Sequence, residues 1–371
     1  MIYNWQQSDW KEFKYDFKKL EEYLYLFSEK VGLSKGSLNA LPKEQQTQTL
    51  IDILVSEAIK TSEIEGEFLS RKDVMSSIKN NLGLSGETKN IRDINAKGMA
   101  NLVTEIRNSY QLPINESVIF DWHKMIFSSK TRISLGTWRT HNKPMQVISG
   151  SYGKEAIHFE APPSIRVKKE MKSFIQWFNN TSPKGTEEIK FAPIRCAIAH
   201  LYFETIHPFE DGNGRIGRAI AEKALLQSVG YPLLLSLSVS IESDRSAYYS
   251  ALKTAQRSND ITEWLIYFIK TILKALDYSV DLINFTLQKA KLFDHYNSLL
   301  NERQTKVLKR MLEEGSKGFE GGMTAKKYMG IAKTSKATAT RDIQKLNEIG
   351  IFKSIGGGRS TAYVIEFLEE L

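Results

Sequence analysis

Cysteine is almost missing from this sequence. The single Cys196 leaves no partner for an internal disulfide, which excludes a disulfide-stapled secreted scaffold and fits a reducing compartment. It sits in the apolar run "IRCAIAHLYF", where it reads as a small buried hydrophobe rather than a nucleophile. Prolines number 9 in 371 residues, and no long segment is rich in Ser, Gly and Pro or in one sign of charge. No part therefore has the composition of a disordered linker. No window holds about 18 uninterrupted apolar residues, and the opening "MIYNWQQSDWKEFKYDF" lacks the basic-then-apolar order of an export signal. These absences predict a cytoplasmic protein without a membrane span. The net charge of +8 would steer anionic ligands such as nucleotides or nucleic acid without naming one.

Helical periodicity is what the chain has in abundance. At 371 residues two or three domains are expected. "TLIDILVSEAIKTSEIEGEF" repeats Leu50, Ile51, Leu54, Val55, Ala58 and Ile59 along one stripe, and Gly66 is placed to end that helix in a left-handed cap. Helices are also predicted in "INAKGMANLVTEIRNS", "NESVIFDWHKMIFS", "PSIRVKKEMKSFIQWFNN", "IKFAPIRCAIAHLYFE", "GRAIAEKALLQSVG" and the long run from Ile261 to Phe293. The exception in the middle is a hairpin. Two β-prone runs, 146–148 and 156–159, carry Val147, Ile148, Ile157 and His158 around a glycine-containing turn and stop at Pro162-Pro163. From residue 301 on, three short helices, the third capped by Ser335, precede a hairpin around three glycines, the order of a winged helix-turn-helix.

Residues 205–218, "TIHPFEDGNGRIGR", concentrate one histidine, two acids, three glycines, an asparagine and two arginines. Gly212, Gly214 and Gly217 spell a dinucleotide fingerprint, but they follow a helical run rather than a strand, and no G-K-[S/T] makes a Walker loop. A purely structural loop, with Arg218 paired to Glu222, explains that arginine alone. An anion site explains more. Gly212, Asn213 and Gly214 leave backbone N–H groups accessible where a helix begins, and Arg215 and Arg218 follow on one helical face. Asp211 is a hard oxygen ligand of the kind Mg²⁺ takes beside phosphate, and the imidazole of His207 is the side chain most often used as a general base near neutral pH.

"HPFEDGNGRIGR" matches at every position the H-x-F-x-[D/E]-G-N-G-R-x-x-R signature and so resembles the Fic family. The resemblance implies a helical core that transfers AMP from ATP to a Ser, Thr or Tyr hydroxyl of a target protein. It assigns the general base to His207, loop anchoring to Phe209 and Mg²⁺ to Asp211. It assigns the α and β phosphates to Gly212, Asn213 and Gly214, the β phosphate to Arg215 and the γ phosphate to Arg218. The hairpin at 146–159 resembles the family's flap, which aligns a target segment by strand addition. Tyr248 or Tyr249 lies in a segment similar to the one near the adenine, with core packing as the other reading. His158 reads as a surface residue and His200 as a core histidine, and His123, His141 and His295 lack zinc spacing.

Thr61 to Gly66 fits the [S/T]-x-x-x-E-[G/N] pattern of the inhibitory helix found in many Fic proteins. Glu65 lies in a last helical turn, where a carboxylate is disfavoured unless a cation is near. By resemblance it pairs with Arg218 and holds the enzyme off; in some relatives it also positions a water that removes AMP. The competing reading makes Glu63, Glu65 and Glu67 a solvated acidic patch. The expected architecture is mainly α: an N-terminal helical region (1–48) with Trp5, Trp10 and Phe13 packing, an inhibitory-helix region (49–112), a Fic core with its flap (113–275), a linker helix (276–300) and a winged helix (301–371). Ser335, Lys336, Thr338, Thr340, Arg341, Lys345, Lys353 and Arg359 suit DNA contacts. The alternative function is therefore a DNA-binding transcriptional regulator whose core senses nucleotide. Target or homodimer recognition is the other use of that domain.

Overall fold

Capping side chains start most of the helices, and buried faces hold them together. A computed structural model describes residues 2–84, 91–127, 133–149, 156–315 and 318–367. Before the central hairpin come α1 (Glu21–Ala40), α2 (Lys43–Ile64), α3 (Arg71–Asn81), α4 (Ile94–Asn108) and α5 (Glu116–Met125). The hairpin is β1 (Gln146–Ser149) with β2 (Ala156–Glu160). After it run α6 (Ser164–Asn180), α7 (Ala192–Ile206), α8 (Asn213–Val229), α9 (Leu237–Ser243), α10 (Arg245–Ala255) and the continuous α11 (Thr262–Tyr296). The chain ends with α12 (Glu302–Leu312), α13 (Ala325–Ala332), α14 (Lys336–Glu348), β3 (Phe352–Ile355) and β4 (Ala362–Ile365). The mainly helical class expected from periodicity is what is found.

By contacts the chain divides into two units, Met1–Gly36 with Leu50–Ser279, and Ser37–Thr49 with Val280–Leu371. The first is organised around α7 and α8. Every residue of α7 is buried, as its nearly all-round apolar sequence requires. One face of the α7–α8 pair joins a cluster with α2 to α6, including Phe174, Tyr202, Phe203 and Phe209. The other face joins a cluster with α1 and the α9 to α11 helices, including Ile198, Leu225, Trp264 and Phe268. Gly98 of α4 has no substitute, since a Cβ there would stand 1.8 Å from the Met125 carbonyl oxygen.

Residues 2–20 are not helical beyond two single 3-10 turns, Asn4–Gln6 and Phe17–Lys19. Beside local turns, three of their backbone bonds reach residues 256–261: Asn4 N–H donates to Gln256 O at 2.9 Å, Lys14 N–H to Asn259 O at 2.8 Å, and Ile261 N–H donates to Lys14 O at 2.9 Å. Trp5 is buried, and Trp10 and Phe13 are partly buried against the first cluster.

In the second unit α12, α13 and α14 enclose a core of Val307, Leu308, Met311, Tyr328, Ile343 and Leu346. Ser335 caps α14 by accepting the Thr338 N–H. β3 and β4 pair antiparallel, and Met323 adds an isolated bridge to Tyr363. Asp342 is buried between Arg303, at 2.9 Å, and the Tyr328 hydroxyl, at 3.0 Å.

Candidate active site

His207 closes α7 in a left-handed conformation, with φ +50° and ψ +61°. Few residues other than glycine adopt it, and a surrounding scaffold must enforce it. Arg139 is that scaffold. Its Nε donates to His207 O at 2.8 Å, its Nη2 to Ile206 O at 3.3 Å and Pro162 O at 2.5 Å, and its Nη1 to Ser164 Oγ at 2.9 Å. Its own N–H donates to Pro208 O at 2.9 Å. Burial pushes this guanidinium down to about 10, so it stays charged at neutral pH while bonded only to neutral oxygens. Arg139→Met would leave three buried carbonyls without this donor, at roughly 1 kcal/mol each. Denaturant unfolding should show a loss of about 3 kcal/mol; an unchanged midpoint would contradict the clamp.

The loop after His207 is closed by its own side chains. Phe209 is fully buried and stacked on His123, with centroids 3.9 Å apart and planes 5° off parallel. The Gly136 N–H donates to His123 Nδ1 at 3.0 Å, so Nε2 carries the proton and donates to Asp211 O at 3.1 Å. Burial keeps His123 below the ordinary histidine range and therefore neutral. Asn213 accepts the Phe209 N–H and donates back to Phe209 O, each at 2.9 Å. Its side chain is spent on loop closure, so any phosphate contact falls to its main chain. Gly212 enters α8 at φ +85°, and the first amides of α8 are left as an anion seat.

A carboxylate already lies against that helix start. Glu65 Oε1 lies 2.7 Å from Arg218 Nη2 and only 2.2 Å from where a Gly214 Cβ would stand. Arg218 is buried, and Thr61 also takes its Nε and Nη2 on Oγ1 and O, each at 2.8 Å. Gly66 follows at φ +80°, and Arg245 donates to Glu63 O and Ile64 O at the same helix end. The cations that a carboxylate needs in a last turn are both present. Arg218 makes no ion pair with Glu222. A second acid does the same work beside it, since Glu67 Oε2 meets Arg215 Nη1 at 2.7 Å while Asn95 holds Glu67 Oε1.

Asp211 is 62% exposed, accepts the Gly212 N–H at 2.6 Å and stands 3.9 Å from Arg215 Nη2. One open carboxylate is what Mg²⁺ uses together with phosphate oxygens and waters. Among the described residues no group of three or more His, Cys, Asp or Glu makes an all-protein metal cage. Tyr248 is buried with its hydroxyl on His200 Nε2 at 2.8 Å, so Tyr249, 43% exposed, is the ring open to a base. His200 is fully buried, a core histidine.

The hairpin pairs Val147 with Phe159 and Ile148 with Ile157, with an irregularity after Val147; its turn, 150–155, lies outside the described residues. Its outer β2 edge is filled. The His158 carbonyl accepts from Arg257 Nη2 at 3.1 Å and the Glu160 carbonyl from Trp5 Nε1 at 2.8 Å. Phe159 is buried beside Trp5 and Ala161, and Ile157 is exposed.

Residues 113–225 match the model of the Fic/DOC family. The chain carries a Fic domain. Residues 3–84 match a domain of unknown function, DUF4172. A protein adenylyltransferase, fic-1, of Caenorhabditis briggsae is 24% identical over 217 residues, 57% of this chain and 38% of that protein. A probable protein adenylyltransferase of Aquifex aeolicus is 29% identical over 119 residues, 32% of this chain and 33% of that one. The chain thus spans well under half the length of these relatives. Two crystal structures share the fold. A Fic family protein from Desulfovibrio desulfuricans has a TM-score of 0.51 at 17% identity, covering 94% of this chain and 97% of its own. A Fic domain signaling protein from Bacteroides thetaiotaomicron has 0.52 at 19%, covering 69% and 97%. Among the described residues no helix is long and apolar enough to cross a membrane.

The sequence pattern gives Arg139 and Glu204 no place in the site, and it offers His123 and Glu67 no role beyond a histidine without zinc spacing and an acidic run. Glu204 alone had a signal, standing one helical turn before His207; the others meet the loop only through the tertiary fold.

Proposed function

We propose that this chain is a protein adenylyltransferase, held off by its own Glu65. The observation that supports it most is the Glu65 carboxylate resting on Gly214 and Arg218, an anion on a seat made for one. In this reading the first amides of α8 take phosphate oxygens of ATP, Arg215 the β phosphate and Arg218 the γ phosphate. Asp211 would hold Mg²⁺, which neutralises charge on the phosphates when bound. His207 takes the proton of a Ser, Thr or Tyr hydroxyl as that oxygen bonds to the α phosphorus. The bond from the α phosphorus to the bridging oxygen breaks, and pyrophosphate leaves with the electron pair. The catalytic loop itself takes up nothing but the proton, so positioning and charge carry most of the rate.

While Glu65 and Glu67 occupy both arginines, the polyphosphate cannot take its reactive pose. The flap would receive the target segment along β1, because the β2 carbonyls at 158 and 160 are already filled. The test is incorporation of label from the α phosphate of ATP into the full chain with Glu65→Gly, and its loss when His207→Ala is added.

A second reading concerns the C-terminal unit, which we read as a winged helix. Its ion pairs join Arg303 to Asp342, Arg310 to Glu313 and Glu314, and Lys353 to Glu366. Lys326, Lys333, Lys336, Arg341 and Lys345 are exposed on or beside α13 and α14, outside those pairs. Such a face fits duplex phosphates. Affinity for a DNA duplex should then fall about 10³-fold or more between low and moderate salt. No retardation of any duplex at low salt would remove this reading.

A further inference from the structure

Glu204 occupies a place in α7 where a carboxylate is costly. It is 4% exposed, in the last turn of its helix, where the dipole opposes negative charge. Its Oε2 lies 3.6 Å from His207 Nδ1. Its Oε1, like His207 Nδ1, is buried without a hydrogen-bond partner among the described residues. A buried acid kept for structure alone has its acceptors filled. Across from it, α8 makes room: a Cβ on Gly217 would stand 2.3 Å from Glu204 Oε1, and a glycine inside a helix costs about 1 kcal/mol.

We propose that Glu204 is a positioning residue for His207, accepting its Nδ1 proton and leaving Nε2 free to take the proton of the attacking hydroxyl. This rests on the reading of His207 as the general base. A carboxylate in this place fixes the tautomer and the ring plane, and it compensates the imidazolium that forms as the proton arrives. The left-handed turn at His207, held by Arg139, folds the ring back over its own helix, so the partner comes from one turn upstream.

The other groups facing Glu204 do not replace that role. His200, one turn further back on α7, is kept neutral by burial and spends Nε2 on Tyr248 of α10. Arg218 of α8 is committed to Thr61 and Glu65. Burial opposes charge on Glu204, but the His207 contact, with the Arg218 guanidinium nearby, holds its pKa below the usual carboxylate value. It is therefore ionised at neutral pH. A carboxylate beside His207 favours the imidazolium that forms as the base takes its proton.

The experiment uses the full chain with Glu65→Gly, alone and with Glu204→Gln or Glu204→Asp, Mg²⁺ and ATP labelled at the α phosphate. Rates are followed across pH, with ATP affinity measured separately. In Glu204→Gln the acid limb should move down by about 1 pH unit, and the plateau should fall about 10-fold, with ATP affinity unchanged. Glu204→Asp should restore part of the midpoint. Unchanged midpoint and plateau in Glu204→Gln would overturn the proposal. Imidazole ¹⁵N shifts of the unsubstituted chain give a readout that needs no variant: Nδ1–H is expected, and an Nε2–H tautomer contradicts it. If Glu65→Gly takes no label while the shifts show Nδ1–H, the transferase reading fails and the pairing stands. If label appears and the tautomer is wrong, the reverse holds.

Discussion

Glu65→Gly is expected to raise ATP-dependent self-labelling of the full chain by about 100-fold, a coupling of about 3 kcal/mol. Arg218 is buried and holds three acceptors, two from Thr61 and one from Glu65. Removing Glu65 keeps the Thr61 bonds and takes away the carboxylate that ion-pairs with the guanidinium. An uncompensated buried cation is costly, and a γ phosphate reaching the same place restores the balance. The substitution also clears the space above Gly214. The same protein should show a larger rise in thermal midpoint with Mg²⁺ and ATP than the unsubstituted chain, since binding stabilises in proportion to affinity. Equal labelling in both proteins would mean that Glu65 is not a brake. Glu67 on Arg215 sets the size of the effect: if it holds independently, Glu65→Gly with Glu67→Gln exceeds Glu65→Gly alone.

The second large effect is expected at His207. In the Glu65→Gly background, His207→Ala should lower the labelling rate by about 10³-fold, the range of a lost general base, with ATP affinity unchanged. Affinity is expected to hold because the imidazole is outside the anion seat, which is built from α8 amides, Arg215 and Arg218. The neighbouring backbone is not His207's to keep: Arg139 bonds to main-chain oxygens of 206, 207 and 208, which alanine retains. Full labelling in this double variant would move the base to another residue, and Glu204 would be the first to examine.

Local chemistry made the helices and the loop readable in the sequence. Gly66 and Ser335 cap where their residue types suggest, because left-handed φ and side-chain capping are decided within a few residues. The spacing of His207, Asp211, Arg215 and Arg218 likewise lies within one loop and two helical turns. The pairing of Glu65 with Arg218 spans more than 150 residues of chain and is implied by a short motif beside an intact loop, whereas the Thr61 bonds to Arg218 are not. What stayed out of reach was decided by tertiary packing. Residues 2–20 are tied to residues 256–261 by three backbone bonds, which no local pattern encodes. Arg139 reads as an ordinary surface arginine until the turn at His207 is seen to need donors. Glu67 reads as part of an acidic run until Arg215 and Asn95 meet it.

The most direct measurement incubates the Glu65→Gly protein with Mg²⁺ and ATP carrying label at either the α or the γ phosphate, then follows protein-bound label and released pyrophosphate. The account predicts retained α label, no retained γ label and pyrophosphate released in step with modification. Retained γ label would show phosphoryl rather than adenylyl transfer, and no retained label from either position would contradict AMP transfer by this loop.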